Sequence, residues 1–425
     1  MVSVNKRTIF LYFFLFAGVF NDLLRIPSTE ITLFRVLLPF AVIICLYCSK
    51  RARMLYVLYV ILSFLAFVQS FIFCLVNKEG VAFDPVHLAK FLFYYACITV
   101  VIGAVIAVFE QAPSLFQKDF RIYMVISSLG HLGAFILRYH LKVYEDLLLN
   151  NQNDYGAMLA MVLPFFYYKL RRTYKLFYLS FTAIVIVYSV LNDCRTALFA
   201  IVLQILIIIC LDMSKTMKGS GWITVVIALM ITLVLIMSAL LSESGFELNG
   251  RNWDDTIVEP IKHIITGRSL DEHKSNLFRT NATIESIKLV WRTKLLGIGA
   301  GNLGLVLRRA LNDYPAMEEW VYLYDYVSPH NAFFEFLLEW GYAAVIGFGL
   351  IIREIVRTIR KDHKTDIDKS FIVISISSLL WMIGPSGILV DYFIFIVFTY
   401  LLIIVISERK AGTRLNEDQD ARRSL

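Results

Sequence analysis

The sequence predicts an all-α fold: a polytopic bundle of about 12 transmembrane helices with one large helical loop outside the membrane. Hydrophobic residues make up 58% of the 425 residues, and the mean hydropathy is +0.67. A soluble domain carries less apolar surface than this. Lys and Arg also concentrate in every second short loop between the apolar stretches. The net charge of +7 is therefore spread over loops beside helices, which argues against a nucleic-acid-binding face.

Each predicted span is an apolar stretch of nearly the length that a bilayer requires, about 20 residues. The spans are 8–20, 31–49, 54–76, 86–109, 122–138, 155–168, 173–191, 196–212, 221–241, 330–352, 370–388 and 391–407. The first and the sixth are short, so we expect them to be tilted or to span only in part. Because basic loops mark the cytoplasmic side, both termini are predicted to be cytoplasmic and the number of spans to be even.

These spans divide the chain into four predicted parts. They are an N-terminal transmembrane bundle of about nine spans (1–241), a large extracytoplasmic loop (242–329), C-terminal spans (330–408) and a cytoplasmic tail expected to be disordered (409–425). Within the loop, Ile284, Ile287, Trp291 and Leu295 recur at helical spacing with charged residues between them. This pattern predicts an amphipathic helix that lies on the outer leaflet.

A glycine-rich stretch follows that helix. Its letters, Gly299-Ala300-Gly301-Asn302-Leu303-Gly304, match the dinucleotide-binding fingerprint. That fingerprint requires a preceding strand within a βαβ unit, whereas an amphipathic helix precedes the glycines here. We therefore interpret the glycines as the end of a helix and a turn of the chain.

The loop ends in Ser328-Pro329-His330-Asn331. Ser is a preferred N-cap and Pro a preferred first helical residue, which predicts that His330 lies in the first turn of a helix at the outer membrane surface. Unpaired backbone N–H groups and the positive end of the helix dipole attract anions there. They also favour the neutral imidazole, which can accept a proton. The alternative is an interfacial histidine that only caps or donates a hydrogen bond.

Arginines outside the membrane are the second group of candidates. Arg195 lies in a connection too short for a free loop, so we expect it at the outer membrane edge. Its alternative role is a snorkelling side chain paired with Asp193. Arg268, Arg279 and Arg292 lie in the large loop, where a guanidinium fork suits a diphosphate, although most loop arginines are simply solvated.

Two polar residues before the sixth span, Asn153 and Asp154, are interpreted as helix N-caps, with contact to a sugar as the alternative. No spacing of His, Cys, Asp and Glu indicates a metal site, and we predict no metal and no cofactor.

Together, His330-Asn331 and the downstream Phe334, Leu337, Glu339 and Gly341 are similar to a known signature. It is the H-N-x-x-L-x-x-L-x-E-x-G pattern of the bacterial O-antigen ligase and O-antigen polymerase superfamily. Further pieces stand in family order: 151–163 and Arg195-Thr196-Ala197 each open a span, and Arg279 precedes Gly297-Ile298-Gly299 by eighteen residues. The resemblance covers about 150–410. It departs from the family at Ala343-Ala344, where a second glycine is usual, and at Thr283, where a tryptophan is usual.

The resemblance implies a GT-C-like enzyme that moves a glycan from undecaprenyl diphosphate to a sugar hydroxyl on the outer face of the cytoplasmic membrane. It implies catalytic roles for His330, Arg279 and Arg195, and substrate contacts from Asn331, Asn153, Asp154, Arg268 and Arg292. Guanidinium groups can stabilise the departing diphosphate without a metal, and direct displacement inverts the anomeric centre. Glu339 lies nine residues after His330, on the opposite helix face, and is predicted to be a structural partner between helices.

Three functions stay open at this point. The leading one is a polysaccharide polymerase of the O-antigen, capsule or exopolysaccharide type, whose donor and acceptor are both lipid-linked. The second is a ligase that joins finished polymer to lipid A core. The third, a flippase or transporter for the same lipid, is disfavoured because matching halves with Gly/Pro-interrupted helices are not evident. The expected partners are the lipid-linked donor, the sugar acceptor, membrane lipids and, beyond these, a flippase and a chain-length regulator.

Overall fold

The computed structural model of the chain describes residues 5–20, 24, 31–76, 83–139, 152–169, 174–191, 195–213, 247–248, 251–252, 274–312, 331–361, 363–381 and 392–423. Within these residues fourteen helices carry the fold, which confirms the predicted all-helical architecture. They are α1 (Lys6–Val19), α2 (Leu33–Cys48), α3 (Lys50–Val76), α4 (Pro85–Gln111), α5 (Pro113–Tyr139), α6 (Gln152–Lys169), α7 (Lys175–Leu191), α8 (Arg195–Met213), α9 (Lys274–Arg292), α10 (Leu303–Asn312), α11 (Ala332–Trp340), α12 (Tyr342–Ile359), α13 (Asp366–Trp381) and α14 (Tyr392–Arg423). An antiparallel hairpin of β1 (Glu247–Leu248) and β2 (Arg251–Asn252) lies in the large loop.

Three segments among the described residues are long and apolar enough to cross a membrane: α3, α4 and the Tyr392–Arg409 part of α14. Shorter apolar helices are α2 and parts of α6, α7 and α8. The chain is thus a membrane protein with apolar helices, while the count of about twelve spans stays a prediction. The predicted ninth span, 221–241, lies outside the described residues.

Helix α4 lies at the centre of the bundle and α3 at its edge. In the most apolar 18-residue stretch of each helix, 61% is buried inside the protein in α4 but only 11% in α3. Helix α4 packs against α1, α2, α3 and α14, and a second group of packed helices is formed by α6, α8 and α13. Because lipid is as apolar as the side chains of α3, its exposed face suits a membrane environment.

The start of α4 is determined locally. Pro85 takes the first helical position, and Asp84 Oδ1 accepts hydrogen bonds from the backbone N–H groups of Val86 (2.9 Å) and His87 (3.0 Å). An aspartate cap followed by proline is a strong N-terminal signal, since it satisfies the unpaired N–H groups of the first turn. This cap fixes the end of α4 that meets the large loop.

The large loop has a small core of its own. Side chains of α9, α10 and the connection between them form a buried apolar cluster with Leu338 of α11, and Phe73 and Cys74 of α3 pack against it. The loop is therefore seated on the membrane helices by side-chain packing.

Two predicted boundaries differ from the structure. The predicted span 330–352 is broken at Gly341 into α11 and α12, because this residue has a positive φ of 53° that a continuous helix does not allow. The tail after Arg409, expected to be disordered, continues α14 as a helix to Arg423. A helix already nucleated by an apolar segment extends at little cost through residues such as Glu, Lys and Ala.

An ionic cluster ties α12 to α14 at the end predicted to be cytoplasmic. The Glu354 carboxylate contacts Arg409 (2.7 Å), Arg353 (3.2 Å) and Arg357 (3.3 Å). Burial tends to raise the pKa of Glu354, but the hydrogen bond and charge of Arg409, helped by the two neighbouring guanidinium groups, leave this pKa below its ordinary value. The cluster holds the base of α12, the helix that follows the candidate site.

Candidate functional site

The first structural feature of the site is the start of α11, whose N-cap is Asn331. Its side-chain Oδ1 accepts a hydrogen bond from Phe334 N at 3.2 Å, and the residue is 3% exposed. The prediction that Ser328 caps this helix and places His330 in its first turn is therefore wrong. Asn is as good a cap as Ser, so propensity alone could not choose between the two. His330 immediately precedes the cap and lies outside the described residues.

Residues 294–302, named here the glycine segment, connect α9 to α10 and lie against the membrane helices. Lys294 and Leu295 have positive φ, as do Gly297 (78°), Gly299 (85°) and Gly301 (83°). All residues from 297 to 304 are buried. The interpretation of these glycines as a turn after a helix is confirmed, and the dinucleotide fingerprint is excluded, since α9 precedes it where a strand is required.

Close backbone approach explains why the glycine segment needs glycine. A Cβ on Gly299 would lie 2.5 Å from Cα of Ser70 in α3, and one on Gly301 would lie 3.1 Å from Cα of Leu88 in α4. Side-chain polar groups then fix the approach: Asn302 Nδ2 donates to Ser70 Oγ and to Ile298 O, both at 2.8 Å.

The same segment also holds the break between α11 and α12. Ile298 N donates to Leu338 O at 2.6 Å, and a Cβ on Gly341 would lie 2.1 Å from Leu296 O. Tyr342 of α12 donates its hydroxyl to Lys294 O at 3.1 Å. Helix α11 is thus clamped by the large loop at its C-terminal end.

Tyr95 of α4 donates its hydroxyl to Glu339 Oε2 at 2.6 Å, and both side chains are buried. Trp340 packs edge-on against Tyr95, with ring centroids 4.7 Å apart. The prediction that Glu339 is a structural partner between helices is confirmed. A hydrogen bond to a carboxyl group in an apolar interior is strong, so it orients α11 relative to α4.

Glu335 is a polar residue of α11 that the sequence reasoning missed. It is 5% exposed, and its Oε2 has no hydrogen-bond partner. A spacing of four residues separates Asn331, Glu335 and Glu339, so the three form one polar stripe on an otherwise apolar helix. The signal was available, because an acidic residue inside an apolar stretch is costly and marks a site.

Helix α9 presents the predicted apolar stripe outward. Ile284 (41% exposed), Ile287 (49%) and Trp291 (86%) face away from the protein, while Leu289 is buried against α10 and α11. An exposed stripe of this kind suits a helix at a lipid surface. Leu295, predicted as the fourth member, lies beyond the end of α9 in the positive-φ turn.

The predicted arginines occupy different positions. Arg195 is the first residue of α8, as expected for the opening of a span, and Arg279 lies within α9. Arg292 is the last residue of α9 and its side chain is exposed, whereas Arg268 lies outside the described residues. The roles of these arginines stay predictions.

Asn153 and Asp154 are the second and third residues of α6, which begins at Gln152. They lie inside the first turn of the helix, so their interpretation as N-caps is wrong. An acidic residue in a first turn is instead favourable for the helix dipole. In the part of the chain that the structure describes, no group of three His, Cys, Asp or Glu side chains could hold a metal ion.

Comparison with known families now identifies the region that the glycine segment and α11 belong to. Residues 180–349 match the family model of O-antigen ligase. The resemblance expected from the His-Asn signature is confirmed. No curated protein and no solved structure matched the chain.

This O-antigen ligase domain covers about two fifths of the chain, from within α7 to within α12. It includes Arg195, Arg279 and the His330-Asn331 pair, but not α3 and α4. The match shows that this region is similar to the O-antigen ligase family. The helices that seat its glycine segment come from outside the matched region.

Proposed function

We propose that the protein is an integral membrane glycosyltransferase that uses an undecaprenyl-diphosphate-linked glycan as its donor. It transfers the glycan to a sugar hydroxyl on the outer face of the cytoplasmic membrane. The observation that carries this proposal is the O-antigen ligase match over 180–349, which contains the arginine-bearing helices and the His-Asn pair in one stretch. Both termini are proposed to be cytoplasmic, with the large loop outside.

Within this proposal, the arginines supply charge. The leaving group is a lipid diphosphate whose negative charge grows as the glycosidic bond breaks. Arg195 and Arg279 would stabilise that charge by bidentate hydrogen bonds, so that no metal ion is required. A guanidinium stays protonated at all relevant pH values, which suits a permanent clamp on an anion.

His330 would act on the acceptor hydroxyl. It directly precedes the N-cap of α11 in the sequence. A helix N-terminus would favour a neutral imidazole. A neutral imidazole can accept the proton of the attacking hydroxyl, or can hold that hydroxyl in line with the anomeric carbon. Direct displacement of the diphosphate would invert the anomeric centre. The Asn331 Oδ1 is occupied as the cap, which leaves its Nδ2 as the group that would donate to substrate.

The favoured member of this class is a polymerase that joins lipid-linked repeat units of an O-antigen, capsule or exopolysaccharide. The second candidate is a ligase that transfers finished polymer to lipid A core, and the match to the O-antigen ligase family favours it. The two reactions share donor chemistry and differ in the acceptor.

The glycan phenotype of a deletion strain distinguishes the two. If long chains are lost and one repeat unit remains on lipid A core, the protein is a polymerase. If full-length polymer accumulates on undecaprenyl diphosphate, it is a ligase. Unchanged surface glycan together with unchanged lipid-linked intermediates would contradict both.

A further inference from the structure

A cavity of about 370 Å³ lies beside α11. Its wall is built from α3, α4, α6, α11, α12, α13 and α14, and includes Tyr59, Phe336, Trp340, Gly347 and Phe398. Its size falls within the range of about 300 to 1,000 Å³ found for ligand pockets. The described residues that line it are not among those assigned to the proposed reaction.

The polar groups of the wall are mostly engaged by the protein. Tyr59 OH donates to Leu92 O at 2.5 Å, Thr99 Oγ1 donates to Tyr95 O at 2.7 Å, and Tyr95 OH donates to Glu339. Ser375 Oγ, Ser378 Oγ and Trp340 Nε1 are the exceptions, because they have no hydrogen-bond partner. Apart from these three groups, the cavity presents carbon, mainly aromatic rings and the small residues of α12. Such a lining excludes a sugar or a phosphate and accepts a hydrocarbon chain.

The cavity and the candidate site share one helix, α11. Phe336 and Trp340 follow Asn331 by five and nine residues on α11, which places them about 8 to 14 Å farther along the helix axis. The wall residues of α3 and α12, among them Leu62 and Ala344, are only half-buried, so the cavity is open on the side between these helices. A lipid can therefore enter sideways while its head stays at the start of α11.

We propose that this cavity binds the first isoprene units of the lipid donor. The inference rests on the proposed function, since a donor whose diphosphate lies beside the start of α11 must place its covalently attached chain at a short distance from it. Branched isoprene units need width for their methyl groups, and Ala343, Ala344 and Gly347 leave that width.

Two glycines of α12 give a matched pair of variants. A Cβ on Gly347, which lines the cavity, would meet no atom within 4 Å, and the same holds for Gly349, which does not line it. Gly347→Leu would fill the cavity without a backbone clash, whereas Gly349→Leu adds the same side chain elsewhere on the same helix. Ala344→Leu is a second filling variant in case the first accumulates poorly.

The experiment compares two donors carrying the same glycan, one on undecaprenyl diphosphate and one on methyl diphosphate, a short donor that has no isoprene unit. We expect Gly347→Leu and Ala344→Leu to reduce transfer from the undecaprenyl donor at least ten-fold relative to transfer from the short donor. Gly349→Leu should keep the wild-type ratio of the two rates. An unchanged ratio in both filling variants, or an equal loss with both donors, would overturn the cavity assignment.

Native mass spectrometry provides a readout that does not depend on turnover. Purified wild-type protein incubated with undecaprenyl phosphate and phosphatidylethanolamine should retain undecaprenyl phosphate, and Gly347→Leu should release it. If the wild type retains phosphatidylethanolamine instead, the cavity takes an acyl chain and the assignment is refuted. If the wild type binds undecaprenyl phosphate in the cavity but transfers glycan from neither donor, the cavity assignment survives and the proposed function fails.

Discussion

Substitution of Gly299 by alanine tests whether the glycine segment must lie against α3 for the enzyme to work. Gly299 has a φ of 85°, and its Cβ would lie 2.5 Å from Cα and 2.7 Å from N of Ser70. The positive φ costs an L-residue about 1 to 2 kcal/mol, and overpacking against backbone costs about 1 to 3 kcal/mol more. The seated arrangement should therefore lose about 2 to 5 kcal/mol relative to an undocked segment, a shift of roughly thirty-fold or more in their ratio.

The control is Gly349→Ala. A Cβ there meets nothing within 4 Å, and Gly349 lies inside α12, where alanine is favoured over glycine by about 1 kcal/mol. The control variant should insert, accumulate and make surface glycan as the wild type does. Gly299→Ala should insert as well, but we expect it to melt at a lower temperature in detergent and to lose most of its glycan product.

Undocking can be measured directly at Cys74, which donates to Asn302 Oδ1 at 3.7 Å beneath the glycine segment. In a background with the other five cysteines replaced by alanine, a membrane-impermeant maleimide should label Cys74 faster in Gly299→Ala than in Gly349→Ala. Equal labelling, equal melting and equal glycan output in the two variants would refute the reasoning, because the close approach to Ser70 would then have no energetic consequence.

Four further predictions concern topology, charge and proton transfer. An alkaline-phosphatase fusion at Arg268 should be active, and an inactive fusion would contradict the external loop. Arg195→Ala and Arg279→Ala should abolish transfer while the protein still accumulates. Lysine at either position should restore little activity, because it lacks the bidentate fork. Near-normal rates in both lysine variants would exclude a diphosphate clamp. His330→Ala should be nearly inactive, and substantial activity of His330→Gln without an acid limb in the pH–rate profile would leave His330 a positioning group rather than a base. Glu354→Gln should lower the melting temperature at neutral pH. The folded-state pKa of Glu354 is lowered. Its ion pairs therefore stabilise the fold above the unfolded-state pKa, and this stability is lost as the pH falls through the folded-state pKa. The melting temperatures of wild type and variant should converge in acid, and a pH-independent difference would contradict this.

The contacts around the glycine segment also tie the matched region to helices outside it. Residues 180–349 contain the glycine segment and α11, yet the groups that seat them come from earlier in the chain: Ser70 of α3 and Tyr95 of α4. The N-terminal helices therefore provide a platform for the domain. A variant such as Tyr95→Phe would act on the site from outside the region that carries the family match.

Local sequence determined much of this protein. Apolar stretches predicted helices because a helix satisfies its own backbone within the segment, and the structure has a helix, or part of one, at each predicted span that it describes. The opening of α8 at Arg195, the exposed stripe with Trp291 on α9 and the turn at the glycines were predicted for the same reason. The His-Asn signature indicated the family, because it is read within one short stretch.

Only the tertiary structure decided the features that depend on contacts between distant residues. The N-cap of α11 is Asn331 and not the predicted Ser328, because both residue types cap helices well and propensity alone does not choose between them. The need for glycine at 299 arises from Ser70, more than two hundred residues earlier in the chain. Glu335 is notable because its side chain is buried and its Oε2 has no hydrogen-bond partner. Spacing along one segment reports which residues share a helix face, but it does not report what lies opposite that face, because packing in three dimensions sets the partner.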